Sequence, residues 1–529
     1  MPNRKNGIIL TAAKVDSGLA QLFGEIPPAL IPVNGKPLIF HQIENFIQYG
    51  VTDLYISVGY KKERLITLVK NYYSDRIKLI FVEVDYKKRP GNALLNCLKE
   101  IEGGSVTIVL GDTFLPNNNF IDNSNTVYVS KAMGQSHRWS KVSIDANGEV
   151  RFHEKHDQGN LAIIGVYQIS EINGPVANIK DSDCEITEVL DALKTPFKSV
   201  EENGWLDFGH LDKYQSSKKR LLESRSFNTL DFNDLLGTVN KKSTNINKFL
   251  KEIEWQLSVP KELKVLSPRI IDYSTKEDGP FVEMEYYSYP TLSEIWLYSS
   301  FNETVLKRIV FKTFSILKCF LNHKKEVSQK SYDHIYFDKT NKRVNELIEN
   351  DKVFRSFLKR DTLVINGEEL KNWNLLKDKV FSLIPALYNT DHNCFMHGDF
   401  CFSNVLFDVN SGIVRLIDPR GIWGENKNGD LKYDVAKLRH SIHGDYDFIV
   451  QDLFEVEGED NFINYKIYNS PKHSLIKEYF DSLITEEFDL NQIKLIEGLL
   501  FLSMIPLHKN NQRRQKVMLC KAIENLNQL

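Results

Sequence analysis

The chain has 529 residues, more than one ordinary hydrophobic core encloses, which predicts roughly two to four domains. With 42% hydrophobic and 26% charged residues it has the composition of a globular, water-soluble protein. A formal net charge of −3 gives no global electrostatic case for nucleic acid or a membrane surface as a partner.

The first residues, Met-Pro-Asn-Arg-Lys-Asn, lack the apolar core and cleavage site of a signal peptide and run straight into a strand-like stretch at 7–12. A helical spacing follows over 37–49, then a β-branched run at 54–58, a helix over 63–73, and buried-strand patterns at 77–82 and 106–110. Strands alternating with helices predict βαβ units in a mostly parallel sheet. Ligands of such a sheet sit beyond the carboxyl ends of its strands.

The pattern changes near 205–228. The segment KYQSSKKRLLESR over 213–225 is polar, basic and helix-like, the composition of a solvated face. A hairpin followed by a helix is expected over 227–250, which sets two domains, 1–225 and 226–529. From 302 onward the pattern is mainly helical, with one strand–loop–strand island at 394–418. The apolar run at 499–507 contains Pro506, is too short to span a bilayer, and reads as a buried core helix, so no membrane insertion is expected.

The six cysteines, Cys97, Cys184, Cys319, Cys394, Cys401 and Cys520, are scattered without paired spacing. Reduced thiols in a cytoplasmic protein are expected, and neither a disulfide framework nor a zinc site is. The late basic cluster Lys509, Arg513, Arg514 and Lys516 has no interleaved aromatics and reads as a solvated helix face, not a nucleic-acid site.

Residues 394–408 read CFMHGDFCFSNVLFD, and 413–421 read IVRLIDPRG. Two apolar fragments, 405–407 and 414–417, flank a Ser-Gly turn, so a hairpin would bring Asn404 and Asp418 to neighbouring ends. Phosphoryl transfer needs a carboxylate to accept the hydroxyl proton and hard oxygen donors for Mg²⁺. Asp399 stands where that base would, and Asn404 and Asp418 are donors of the second kind. Either aspartate alone is explained as a turn cap or a strand end. The joint pattern HGDxxxxN, strand, turn, strand and Asp is not.

The segment resembles the aminoglycoside phosphotransferase/choline kinase family, with HGDFCFSN matching its catalytic loop and IDPRG its metal-binding aspartate motif. The resemblance implies an ATP- and Mg²⁺-dependent kinase with Asp399 as catalytic base, Asn404 and Asp418 as metal ligands, and His397 orienting the loop. Tyr433-Asp434-Val-Ala-Lys-Leu resembles the helix that follows in that family, with Asp434 as a structural cap near the loop. It also implies that Lys241, within VNKKS, contacts ATP and pairs with Glu252; a solvated lysine pair and a surface glutamate is the alternative for the same residues. Met284-Glu285-Tyr286-Tyr287 resembles the hinge between kinase lobes, where Glu285 and Tyr287 would present backbone to adenine. Arg420 and Trp423 lie just past Asp418, where they either line the acceptor pocket or simply pack.

The first half carries a second resemblance, to the sugar-phosphate nucleotidyltransferases, over 6–225. Its landmarks run in family order: GIILTAA at 7–13, PALIPVNGKPLI at 28–39, PGNA at 90–93, VLGD ending at Asp112, FHEK ending at Lys155, and WLDFG at 205–209. The resemblance implies Asp112 and Asp207 as Mg²⁺ ligands, and Glu154 and Lys155 as sugar- and phosphate-contacting residues. The signature loop departs from the family: it runs Ala12-Ala13-Lys14-Val15-Asp16-Ser17-Gly18 and has lost most of its glycines and its arginine. Pro27-Pro28 stands where a Pro-Lys is expected. Two readings stay open, an active transferase with altered nucleotide handling and a domain retained for binding or assembly.

The expected fold class is therefore an α/β, Rossmann-like nucleotidyltransferase domain followed by an α+β, protein-kinase-like domain with a large helical lobe. The expected function is a bifunctional transferase. ATP would phosphorylate a hydroxyl of a sugar, amino-alcohol or polyol, and a second nucleoside triphosphate, CTP or another, would serve the first half. Both resemblances together imply an activated precursor for a bacterial capsular polysaccharide. Expected partners are the small-molecule acceptor and nucleotides, with a homo-oligomer left open.

Overall fold

In the computed structural model, residues 4–117, 120, 124–131, 138–146, 148–153, 159, 161–172, 183–223, 228–276, 279–424, 426–459 and 461–529 are described. The chain divides into two units, Met1–Leu221 with Tyr298–Ser300, and Leu222–Leu297 with Phe301–Leu529.

In the first unit, strand β1 (Lys5–Leu10) lies between parallel neighbours β2 (Asp53–Val58) and β4 (Ser105–Leu110), and β3 (Lys78–Glu83) extends the block beyond β2. Parallel neighbours need long crossovers. These contain helices α1 (Ser17–Phe23), α2 (Leu38–Tyr49), α3 (Lys62–Tyr73) and α4 (Pro90–Lys99). Both faces of the block are buried, as a sheet covered on two sides requires. Ile9, Leu54, Ile56 and Val109 belong to one apolar cluster, and Ile8, Leu10, Tyr55 and Ile108 to the other.

Past β4 the sheet becomes antiparallel. A two-residue strand β5 (Thr113–Phe114) is followed by β6 (Thr126–Lys131), β7 (Lys141–Ile144), β8 (Val150–His153) and β9 (Leu161–Ile169). Strand β9 pairs antiparallel with β4, β6 and β7, and β10 (Lys198–Glu201) adds parallel to β6, giving nine strands. The strand–helix alternation forecast the parallel block. Among the additions a helix, Ile186–Ala192, stands only before the last strand, so the strand–helix alternation is lost. Among the described residues, strand β11 (Leu206–Asp207) pairs with β5 alone, Asp207 opposite Thr113.

The second unit begins with an antiparallel sheet of β12 (Asn228–Asn233), β13 (Thr238–Ser243), β14 (Ile270–Ser274) and β15 (Phe281–Glu285), in the order β12-β13-β15-β14. Helix α5 (Ile246–Ser258) covers it. Its start is fixed by Asn245, whose side chain accepts from the Lys248 N–H. Phe249 and Ile253, one turn apart, pack on Val239, Val282 and Met284. Most of the remainder is helical, including α6 (Lys339–Asn350), α7 (Leu431–Ile442) and α8 (Leu490–Met504).

Helix α7 is buried along its whole length although it carries Lys432, Asp434, Lys437, Arg439 and His440. Charges survive there because they are matched: Arg439 forks onto both Asp481 oxygens (2.8 Å each) and also meets Glu497. A span from Leu490 to His508 is long and apolar enough to cross a membrane by length and composition, and 67% of it is buried inside the protein.

A second β element corrects the expectation of a single strand island after residue 302. Thr362–Ile365 and Glu368–Lys371 form a hairpin, joined by Phe454–Glu457 and Phe462–Ile467 into a four-stranded sheet. Its first turn is Asn366-Gly367, both at positive φ (50° and 86°). An Asn-Gly pair is a hairpin signal, but here only the strand before it, TLVI, is apolar, while EELK after it is polar.

Asp445 is a buried charge held by two lysines, 2.6 Å from Lys477 and 2.8 Å from Lys521. Burial alone would raise its carboxyl, but the two lysines outweigh this and hold it at about 2. Asp445→Asn strands two lysines and is expected to cost about 3–5 kcal/mol in urea unfolding. Because the folded carboxyl is depressed, its contribution is complete above the unfolded value of about 4 and disappears as pH falls toward 2. The gap between wild type and variant is therefore expected to narrow through that window.

Candidate active site

In the second unit, Val405–Phe407 pairs antiparallel with Val414–Leu416, Val405 opposite Leu416. The next rung is the Ile417 N–H donating to the Asn404 carbonyl at 3.0 Å. This brings Asn404 and Asp418 to the same end of the hairpin. Asp418 has φ of 51°, a left-handed backbone that aspartate tolerates better than most residues.

The loop before the hairpin is held from beneath by Asp434, which is fully buried in α7. Its carboxylate accepts the N–H groups of His397 (2.9 Å), Gly398 (3.0 Å) and Phe400 (3.4 Å). Burial pushes its carboxyl up to about 7 against the pull of those three donors. Asp434 thus anchors the loop, while the side-chain cap of α7 is Asp430, which accepts from the Lys432 N–H. His397 is buried, and burial lowers its imidazole to about 4. Nε2 lies 3.1 Å from the Ile417 carbonyl, and Nδ1 accepts the Asp399 N–H at 3.3 Å. These partners assign a neutral ring with the proton on Nε2, joining the loop to the hairpin.

Asp399 faces Lys437 at 3.0 Å, and Asn404 Nδ2 donates to its carboxylate at 3.2 Å and to its carbonyl at 2.9 Å. Burial would raise the Asp399 carboxyl, but Lys437 prevails and holds it at about 2. Lys437 was assigned no role from sequence. Its signal was its spacing, three residues after Asp434 and four after Tyr433, on one face of α7.

Lys241 is buried on β13, whereas Lys242 points outward. Its ammonium lies 2.6 Å from Glu252 on α5 and 2.7 Å from Asp418. Burial works against this charge, yet Asp418 and Glu252 raise it to about 12. In turn the crowding around Asp418 works against its charge, but Lys241 prevails and lowers that carboxyl. Two contacts fix α5 over the loop. The Trp255 indole N–H donates to the Met396 carbonyl at 2.7 Å. Gly421, with φ of 77°, lies so close to the Lys251 carbonyl that a Cβ would collide with it.

The arrangement can accept a proton at Asp399 and present one cation and two hard oxygen donors beside it. Asn404 spends its amide nitrogen on Asp399, which turns its oxygen away from that carboxylate. The Asp418 side chain is 54% exposed and so reachable. Two such donors suit Mg²⁺, which keeps its remaining positions for water and phosphate oxygens. Of the expected hinge residues, Glu285 accepts from the Tyr287 hydroxyl (2.8 Å) and meets Arg269 (3.2 Å). Trp423 is buried among Tyr332, Tyr336 and Tyr433, so it packs.

In the first unit, Asp112 follows β4 at the carboxyl end of the parallel block, and β11 delivers Asp207 beside it. The Phe208 N–H donates to the Asp112 carbonyl at 2.8 Å. Gly209 lies between the two side chains: a Cβ there would collide with the Asp112 carboxylate and lie 3.3 Å from Asp207 Oδ1. Asp207 accepts from the Gly209 N–H (2.7 Å) and lies 3.0 Å from His210, whose imidazole it raises. A carboxylate pair is a donor set that Mg²⁺ accepts, although no three His, Cys, Asp or Glu side chains converge among the described residues. Lys14 pairs with Glu25 at 2.8 Å, and Asp16 caps α1 through the Leu19 N–H. Glu154 and Lys155 lie outside the described residues.

No family model matches the chain. Its N-terminal part resembles sugar-phosphate nucleotidyltransferases. Over 219 residues, 39% of the chain, it is 25% identical to the bifunctional protein GlmU of Methanococcus maripaludis and spans 51% of that protein. Over 236 residues, 40% of the chain, it is 23% identical to the D-glycero-alpha-D-manno-heptose 1-phosphate guanylyltransferase of Aneurinibacillus thermoaerophilus and spans 97% of it. The crystal structure of HddC from Yersinia pseudotuberculosis complexed with GMP-PN aligns with 41% of the chain and 99% of its own, at 21% identity and a TM-score of 0.33. The chain thus spans about half the length of the GlmU proteins it matches.

Proposed function

We propose that residues 226–529 form an ATP-dependent small-molecule kinase that phosphorylates a hydroxyl of a sugar, amino-alcohol or polyol. The observation that carries this reading is the single buried ammonium of Lys241 bridging Glu252 and Asp418, with Asp399 and Asn404 on the adjoining loop. Segments more than a hundred residues apart converge there on the charges that phosphoryl transfer requires.

In this reading Lys241 takes the phosphate tail of ATP, its orientation fixed by Glu252. Asn404 and Asp418 would hold Mg²⁺, which supplies charge neutralisation on the transferring phosphoryl group. Asp399 accepts a hydrogen bond from the acceptor hydroxyl and aims its oxygen at the γ-phosphorus. The new P–O bond forms on that oxygen as the bond to the ADP leaving oxygen breaks, and the hydroxyl proton passes to Asp399. A carboxylate held at about 2 is a weak base, so it takes the proton late, as the hydroxyl acidifies on bonding to phosphorus. An ADP-release screen over sugars, amino-alcohols and polyols tests this. Acceptor-dependent ADP is the expected result, and its absence with every compound, despite bound ATP, would overturn the assignment.

For residues 1–225 we propose a nucleotidyltransferase-like domain that takes a phosphorylated product and a second nucleoside triphosphate, on a route to a bacterial surface polysaccharide in the cytoplasm. The sequence relatives, a guanylyltransferase for a heptose 1-phosphate among them, support that substrate class. Paired carboxylates at Asp112 and Asp207 support a Mg²⁺-dependent transfer. Pyrophosphate release from one of the four nucleoside triphosphates with a sugar phosphate is the expected result, lost in Asp207→Asn. A second reading, a domain that only binds a sugar nucleotide or phosphorylated ligand, is favoured by one observation. The loop's lysine is spent on Glu25 and its aspartate on a helix cap. No pyrophosphate with any pair, but saturable binding of a sugar nucleotide, would select it.

A further inference from the structure

Several buried or nearly buried cations of the second unit face carboxylates: Lys437 faces Asp399, Arg439 faces Asp481 and Glu497, and Lys477 and Lys521 face Asp445. Three partly buried cations beside the Asp399 loop face one another instead. Lys339 and Arg343 stand one turn apart on α6, and Arg420 lies two residues past Asp418. Arg420 Nη1 donates to the Tyr433 hydroxyl at 2.8 Å, and Lys339 Nζ donates to the same oxygen at 3.4 Å. Arg343 donates to the Ser503 carbonyl at 2.7 Å. Among the described residues none of the three has a carboxylate within ion-pair distance, and each remains partly exposed.

Such a cluster is unfavourable by itself. Burial lowers Lys339 to about 8; the Tyr433 hydroxyl opposes this, while the positive charges of Arg420, Arg343 and Lys437 add to it. The Tyr433 hydroxyl shows the complementary effect: burial would raise it, but Arg420, Lys339 and Lys437 bring it down to about 7. A neutral or half-ionised phenol is a poor counter-ion for three cations, and an incoming anion would supply the missing charge. The cluster is also contiguous with the chemistry, since Lys437, one turn beyond Tyr433 on α7, holds Asp399.

We propose that Lys339, Arg343 and Arg420 form a receptor for an anionic group, phosphate or carboxylate, carried by the phosphoryl acceptor itself. The inference rests on the kinase reading and narrows it. A cationic amino-alcohol or amino sugar would meet three like charges, whereas a sugar phosphate, sugar acid or polyol acid would neutralise them and bring a hydroxyl to Asp399. The phosphate tail of ATP could also be drawn to such a cluster. We assign the cluster to the acceptor because Lys241 already reaches Asp418 from β13, while the Arg420 side chain turns to α7.

The test offers the full chain, with Mg-ATP, acceptors matched except in charge. These are glycerol against glycerol 3-phosphate and glycerate, and glucose against glucose 6-phosphate and gluconate, with choline and ethanolamine as cations. The expected result is a kcat/KM at least about tenfold higher for an anionic member. Lys339→Gln and Arg343→Gln should each raise its KM about tenfold with KM for ATP within twofold, and Lys339→Arg should restore it. Preferred use of a neutral or cationic acceptor would overturn the inference. So would a rise in KM for ATP with the acceptor KM intact. If none of these acceptors is phosphorylated, calorimetry with inorganic phosphate decides separately from the kinase reading. Binding lost in the Lys339→Gln/Arg343→Gln double variant supports the receptor, and binding unchanged in it, or absent from the wild type, overturns it.

Discussion

Asp399→Asn is expected to lower acceptor-dependent ADP release by about 10²–10⁴-fold while the affinity for Mg-ATP stays near that of the wild type. The carboxamide preserves shape, so Asn404 keeps its contact with the residue 399 carbonyl. It cannot accept the hydroxyl proton, and it no longer neutralises Lys437, which lies 3.0 Å away. The size of the loss separates two roles. A fall near the lower figure means that Asp399 chiefly aims the hydroxyl, as its depressed carboxyl suggests. A fall near the upper figure means that proton acceptance dominates. Activity within threefold of wild type would remove Asp399 from the mechanism.

Lys241→Met is expected to harm both stability and turnover, and a double variant separates the two. Glu252 is buried, and removing the ammonium leaves its carboxylate without its ion partner, at a cost of about 3–5 kcal/mol in urea unfolding. The Lys241→Met/Glu252→Gln variant removes that stranded charge and is expected to regain most of the stability, a non-additive result diagnostic of direct coupling. Turnover should remain about 10²–10³-fold down in both variants, because the cation for the phosphate tail is missing from each. Activity that returns with stability would reduce Lys241 to a structural ion pair.

The hairpin joining Asn404 to Asp418 was legible because apolar triplets around a Ser-Gly turn fix its register. Lys241 and Glu252 were legible only through resemblance, since a lysine on a strand and a glutamate on a helix are ordinary surface residues until folding buries them together. Lys339 and Arg343 went unread for the same reason. Their meaning lies in what faces them across α6 and α7, and spacing along one helix does not encode that. The antiparallel half of the first sheet was missed because short strands without intervening helices carry little periodicity. The Asn366-Gly367 hairpin was missed although its turn was readable.

The clasp between α5 and the Asp399 loop has a consequence for how far that helix moves. Trp255 hangs from the Met396 carbonyl, and Gly421 admits the α5 backbone at contact distance. A helix pinned at both places cannot rotate outward and carry Glu252 away from Lys241 without breaking a buried hydrogen bond and opening a void. An outward swing of α5 therefore costs at least that buried hydrogen bond, about 1–3 kcal/mol, which favours the arrangement with Lys241 and Glu252 paired. Little exchange at α5 is therefore expected in relaxation dispersion of the wild type, and more in Trp255→Phe, which lacks the indole donor.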